Sequence, residues 1–152
     1  MKKILILLFA LFSFANGSDI DFNTLSAQAK KENRHIVVYF HSPGCGFCTR
    51  MQRNTLNTDA VKTQIKNDFI YVDINIDDYG VVLYKDFKGS RGNFARYLDY
   101  DVYPSTIFID GNNEMIYAQA GYQSKAEFLK ILSYIKAKSY EDMGIEEFKE
   151  KN

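Results

Sequence analysis

Several things are scarce in this chain of 152 residues. It has two cysteines, two histidines and no tryptophan, and its 19 basic residues are matched by 19 acidic ones. A structural zinc site takes four ligands, usually Cys and His. Cys45, Cys48, His35 and His41 are the whole supply, with no second Cys-x-x-Cys and no paired-His spacing, so no metal is expected. Zero net charge argues against a nucleic-acid binder, which carries a basic patch. No apolar run approaches the ~20 residues that span a bilayer. Internal repeats and low-complexity stretches are also absent. What is present suits a packed globular core: 46% hydrophobic residues, 25% charged, and 12 Phe with 11 Tyr to supply aromatic bulk.

The first residues read as a leader rather than as fold. Lys2 and Lys3 precede an apolar run, Ile4 to Phe14, broken only by Ser13, and small residues follow at Ala15 and Gly17. That is the layout of a secretory signal peptide, with cleavage after Ala15 or Gly17. An uncleaved anchor is the alternative, disfavoured by the shortness of the run. The expected division is therefore a signal peptide, residues 1–17, and one domain, residues 18–152. Removing Lys2 and Lys3 leaves 17 basic and 19 acidic residues, a net charge of −2.

Export sharpens the meaning of Cys45-Gly46-Phe47-Cys48. In an oxidising compartment two cysteines can act as a staple. A bridge this short closes almost no loop and constrains the unfolded chain little. The spacing therefore favours redox chemistry.

Periodicity gives the organisation. Asp21 to Asn33 reads as a helix capped by Asp21 or Asn23, with Phe22, Leu25 and Ala29 on one side. His35 to Phe40 reads as a buried strand, broken by Ser42-Pro43-Gly44. A helix is expected from about Cys45 to Arg53, a second from Thr58 to Lys66, then a strand from Phe69 to Ile76. Tyr79 to Gly92 fits either a hairpin or an irregular insertion. Arg91 to Asp99 reads as a helix and Ser105 to Ile109 as a strand. Asp110-Gly111-Asn112-Asn113 is a hairpin turn, returning as Glu114 to Ala120. Ser124 to Lys138 is an amphipathic helix, and a short helix follows Gly144. This order implies an α/β fold with a mixed sheet and helices on both faces.

Cys45 falls where a strand ends and a helix begins. Free N–H groups of a first helical turn favour negative charge, so a thiolate there is stabilised. Cys48, one turn later, should lie deeper. Cys45 would then attack a disulfide and Cys48 would resolve the mixed disulfide.

Tyr39 to Met51 (Tyr-Phe-His-Ser-Pro-Gly-Cys-Gly-Phe-Cys-Thr-Arg-Met) resembles the active-site strand, turn and helix of the thioredoxin superfamily. Tyr100 to Asp110 resembles its cis-proline loop and the strand beyond. Ala120-Gly121-Tyr122 resembles its third substrate-facing loop. Within the superfamily, Cys48 to Leu56, Asp59-Ala60-Val61, Phe69 to Asp77 and Met143 to Phe148 are similar to secreted proteins of the SoxW type and to the C-terminal domain of DsbD. The resemblance implies a thioredoxin fold with an N-terminal helical extension. It also implies a cis bond before Pro104, with Tyr103, Pro104 and Gly121 in contact with an extended substrate. No cofactor beyond the Cys45–Cys48 disulfide is implied. The implied partners are exported proteins with disulfides and a membrane thiol donor of the DsbD or CcdA type, in the periplasm.

Departures from thioredoxin mark candidate modulators. Gly44 replaces a Trp, and Gly46-Phe47 replaces Gly-Pro. The buried Asp of thioredoxin aligns with Tyr39 and its partner Lys with Asp73. Asp73 is either a buried acid or base for Cys48 or a solvated edge residue. His41 either stabilises the Cys45 thiolate as a cation or is a satisfied residue at a strand end. Gly46 and Phe47 supply no charge or side-chain donor, so a potential near ~−200 mV or below is expected rather than the ~−120 mV of DsbA. That favours a reductase. Isomerase, oxidase, or a thioredoxin-fold binding module are the alternatives.

Overall fold

The computed structural model describes residues 18–151. The expected leader, residues 1–17, lies outside them. A two-residue strand β1 (Ile20–Asp21) leads into helix α1 (Phe22–Glu32). Asp21 caps α1 by accepting from the N–H groups of Asn23 and Thr24, and Asn33 ends it in the left-handed conformation. Strand β2 (His35–His41) follows, then α2 (Gly46–Met51), a π-helical stretch (Gln52–Leu56), α3 (Asp59–Asp68) and β3 (Phe69–Asn75). Next come the hairpin β4 (Val81–Tyr84) and β5 (Phe87–Ser90), α4 (Arg91–Tyr97), β6 (Ser105–Ile109) and β7 (Met115–Ala120). The chain closes with α5 (Lys125–Lys136), a 3-10 turn (Ser139–Glu141) and α6 (Ile145–Lys151).

The main sheet has the order β3-β2-β6-β7. β2 and β3 are parallel, whereas β6 runs antiparallel to β2 and to β7. The sheet is therefore mixed, as expected. β2 is one of its two inner strands, and the run Ile36–Phe40 is wholly buried. A strand covered on both faces reads as continuous hydrophobics rather than as an alternation.

Alternate β2 side chains serve opposite faces. Ile36, Val38 and Phe40 join Phe22, Phe94 and Ala95 of α1 and α4. Val37 and Tyr39 join Met51, Val61, Phe128 and Ile131 of α2, α3 and α5. Helix α5 is held at its start by a reciprocal capping box between Ser124 and Glu127.

The 79–92 segment is a hairpin. It turns at Lys85, which has φ 52°, and Asp86. It does not extend the main sheet. β1 pairs in parallel with β4 to form a separate three-stranded sheet, β1-β4-β5. This strand was not expected, because two residues carry no periodic signal. Val82 and Tyr84 of the hairpin pack on Phe22 and Phe94. Arg91 bonds to the Ser18 carbonyl (3.2 Å) and to Asp78 (3.1 Å), and Val81 N–H donates to Asp19 (2.8 Å). The start of the described chain is thus tied to its middle.

At the far end of β2, His35 is 5% exposed and its Nε2 lies 2.9 Å from the Tyr140 hydroxyl. Burial pushes its pKa below the usual value of 6.5, with Lys138 adding to the shift and Asp110 and Glu141 opposing it. The folded form therefore binds fewer protons than the unfolded form, and this contribution to stability is lost as pH falls through 6.5. The urea midpoint should drop between pH 7.5 and pH 5.5. In His35→Gln that drop should be smaller.

Candidate active site

The disulfide sits at the C-terminal end of β2. After His41, Gly44 turns the chain with φ 71°, a conformation that favours glycine, and presents Cys45 as the residue that caps α2. Cys45 Sγ accepts the Cys48 N–H at 3.1 Å. The sulfur is thus held by an unsatisfied donor of the first helical turn. Cys45 and Cys48 are joined as a disulfide, with Cα atoms 5.2 Å apart. Cys45 is half-buried, whereas Cys48 is only 2% exposed. The expected depth difference is present. The expected start of the helix moves by one residue, because Cys45 caps it. The helix also runs past Arg53 as the π-helical stretch.

Tyr39 is buried beneath Cys48 and donates its hydroxyl to the Cys48 carbonyl at 3.0 Å. Burial holds its phenol well above the usual range, with the Asp73 charge adding to the shift. The position where thioredoxin places a carboxylate therefore carries a neutral donor that pins the helix.

Two of the candidate modulators face each other. Residue pairs Tyr39–Asp73 and His41–Asn75 are in register across β2 and β3. His41 Nε2 is 2.5 Å from Asp73 Oδ1, and the imidazole stacks on Tyr39 at 5.3 Å between ring centroids. Tyr71 donates its hydroxyl to Asp73 at 3.4 Å. The Asp73 side chain is 47% exposed. A buried acid at Asp73 is therefore ruled out, since β3 is an edge strand of the main sheet and leaves its side chain open to water. Gly46 is exposed, and Phe47 is 62% exposed and points no polar group at the sulfurs.

The remaining candidates converge from β6 and β7. The Tyr103–Pro104 peptide is cis. The Tyr103 carbonyl oxygen lies 3.7 Å from Cys45 Sγ. Burial raises the Tyr103 phenol pKa, Asp101 and Asp77 add to the shift, and Arg96 opposes it. Gly121, with φ 87°, donates its N–H to the Pro104 carbonyl at 2.7 Å, which ties the two loops together.

Sequence reasoning missed the support of these loops. Gln123 is buried, accepts from the Thr106 hydroxyl and donates back to the Gly121 carbonyl, while Thr55 of the π-helical stretch donates to the Gln123 carbonyl at 2.8 Å. A polar residue between the loop glycine and the capping Ser124 was the available signal. Arg50 lies over the Tyr122 ring, 4.7 Å from its centroid. Among the described residues, no three His, Cys, Asp or Glu side chains converge as a metal site would need.

A family model described as a thioredoxin-like domain matches residues 22–136. The chain belongs to the thioredoxin-like family. Solved structures agree on the fold. A thioredoxin-fold protein from Helicobacter pylori superposes with a TM-score of 0.64 at 23% identity, covering 79% of this chain and 80% of that one. The DsbH oxidoreductase gives 0.57 at 15% identity, covering 89% and 95%. The C-terminal domain of DsbD from Neisseria meningitidis, in its oxidised form, gives 0.54 at 15% identity, covering 77% and 97%. No curated protein sequence matches the chain. A thioredoxin-like fold that presents a close Cys45–Cys48 pair at a helix start is the arrangement of a thiol–disulfide oxidoreductase.

The Tyr39 hydrogen bond has a measurable weight. Tyr39→Phe keeps the ring and leaves the Cys48 carbonyl without its side-chain donor. The stability loss by urea denaturation should be about 1 kcal/mol.

Proposed function

We propose that this thioredoxin-like protein is an exported reductase of protein disulfides, acting in the periplasm after removal of residues 1–17. The observation that carries the reading is the Cys45 sulfur held against the Cys48 N–H at the head of α2, half-open to solvent, with Cys48 buried behind it. In the reduced protein, the Cys45 thiolate attacks one sulfur of a substrate disulfide. The substrate S–S bond breaks and its other sulfur leaves with the electron pair and takes a proton. Cys48, deprotonated, then attacks Cys45 Sγ and displaces the second substrate sulfur, which is protonated in turn. Two electrons and two protons pass to the substrate, and the Cys45–Cys48 disulfide remains. A membrane thiol donor must reduce that disulfide to complete the cycle. No further cofactor is required.

Tyr103, Pro104 and Gly121 are the residues assigned to the substrate backbone. Their support is proximity: the Tyr103 carbonyl faces Cys45 Sγ, and the Gly121 loop is bonded to Pro104. Export is supported by the leader pattern of residues 1–17. Among the described residues no helix is long and apolar enough to cross a membrane.

The reducing direction is supported by what surrounds Cys45 Sγ. Its bonded donor is the Cys48 backbone N–H, and the intervening Gly46-Phe47 adds no charge. A thiolate stabilised only by a helix start gives a less oxidising couple than one with an added side-chain donor. Equilibration with glutathione should give a potential of ~−200 mV or lower. A value above about −150 mV would make the protein an oxidant and overturn the direction. Insulin reduction should be lost in Cys45→Ser. Limited alkylation of the reduced protein, mapped by peptide mass, should label Cys45 before Cys48.

A further inference from the structure

The surface around the disulfide is apolar and acidic at once. Phe47 and Val102 are each 62% exposed, one beside each of the two segments that meet at Cys45 Sγ and the Tyr103 carbonyl. Large apolar side chains left open beside a reactive sulfur fit an unfolded or extended polypeptide that covers them on binding. Acidic residues lie on one flank. Asp101 is exposed and adjacent to Val102. Asp77 is exposed at the same end of the sheet, just beyond β3, where the Ile76 N–H donates to the His41 carbonyl at 3.0 Å. Beside burial, Asp101 raises the Tyr103 phenol pKa, Arg96 opposes it and Asp77 adds a smaller rise.

Among the described residues neither Asp77 nor Asp101 has an ion-pair partner, whereas the neighbouring Asp78 is paired with Arg91 and Asp73 lies against His41 Nε2. Arg50 lies over the Tyr122 ring beyond the Gly121 loop.

We propose that Asp77 and Asp101 make the exchange surface selective for polypeptides that carry Lys or Arg beside the reactive cysteine. This rests on the oxidoreductase reading and deepens it. The acidic residues touch neither sulfur. They select substrate by raising the encounter rate of a basic segment and by lowering that of an acidic one. An unpaired charge near the path of an incoming residue changes the Lys-to-Glu rate ratio by roughly threefold at low ionic strength, so two together give about tenfold.

The test uses the reduced protein and a set of short peptides. Each peptide has one cysteine blocked as a methyl disulfide, an apolar residue on one side, and Lys, Ser or Glu on the other. Stopped-flow gives the second-order rate of release of the peptide thiol. At an ionic strength of ~0.01 M the Lys peptide should react about tenfold faster than the Glu peptide, with Ser between them. At ~1 M, where the screening length is about 3 Å, the rates should agree within about twofold. In Asp77→Asn/Asp101→Asn the low-salt ratio should fall below about threefold, while far-UV circular dichroism shows the fold retained. Equal rates for Lys and Glu peptides at low salt, or an unchanged ratio in the double variant, would overturn the selectivity. Failure to reduce any of the peptides would instead overturn the oxidoreductase reading itself.

Discussion

One hydrogen bond organises the chemistry: the Cys48 N–H, left without a helical partner, points at Cys45 Sγ. A backbone donor at a helix start costs nothing to orient at the moment of reaction, because the helix is already formed. Its direction depends on where α2 begins, which depends on where β2 ends. β2 is an inner strand of the sheet, packed by both faces of the core. The rigidity of that strand is transmitted to the sulfur through the short turn at Pro43 and Gly44, and through the Tyr39 hydroxyl that fastens the Cys48 carbonyl from below.

The two loops that complete the site come from the antiparallel half of the sheet. β6 brings Tyr103 and Pro104 against the disulfide, and β7 brings Gly121 back to Pro104. Neither loop is stabilised by its own residues alone. Gln123 and Thr55 bind them to the π-helical stretch that continues α2, so the helix carrying the cysteines and the loops facing them share one set of polar bonds. A movement of either is resisted by the other, which keeps the Tyr103 carbonyl beside the sulfur.

Much of this is legible in the sequence. The β-branched run at residues 35–40 marks a strand covered on both faces, and the helical spacing of Phe128, Ile131, Leu132 and Ile135 marks the inner face of α5. Asp110-Gly111-Asn112-Asn113 gives the β6–β7 turn through its own turn chemistry. The cysteine spacing locates the disulfide because so short a bridge has little use as a staple, and the proline at 104 is placed beside it by the resemblance to the thioredoxin cis-proline loop. What stayed hidden depends on tertiary context. β1 is too short to carry a pattern and exists only because β4 offers it an edge. The depth of Asp73 could not be read, since an alternating strand looks the same at the rim of a sheet as near its centre. The His41–Asp73 contact depends on strand register, and the role of Gln123 depends on two loops that are far apart in sequence.

The pairing of β1 with the hairpin joins residues 62 positions apart, as the Asp19–Val81 bond shows. A ribosome delivers the chain from its first residue, so Ile20 and Phe22 emerge long before the segment that will cover them. Until the hairpin has emerged, β1 has no strand to pair with, although Phe22 can already pack on Ile36, Val38 and Phe40 of β2. Completion of this half of the molecule therefore waits on a contact of long sequence separation, which makes it a late event in folding.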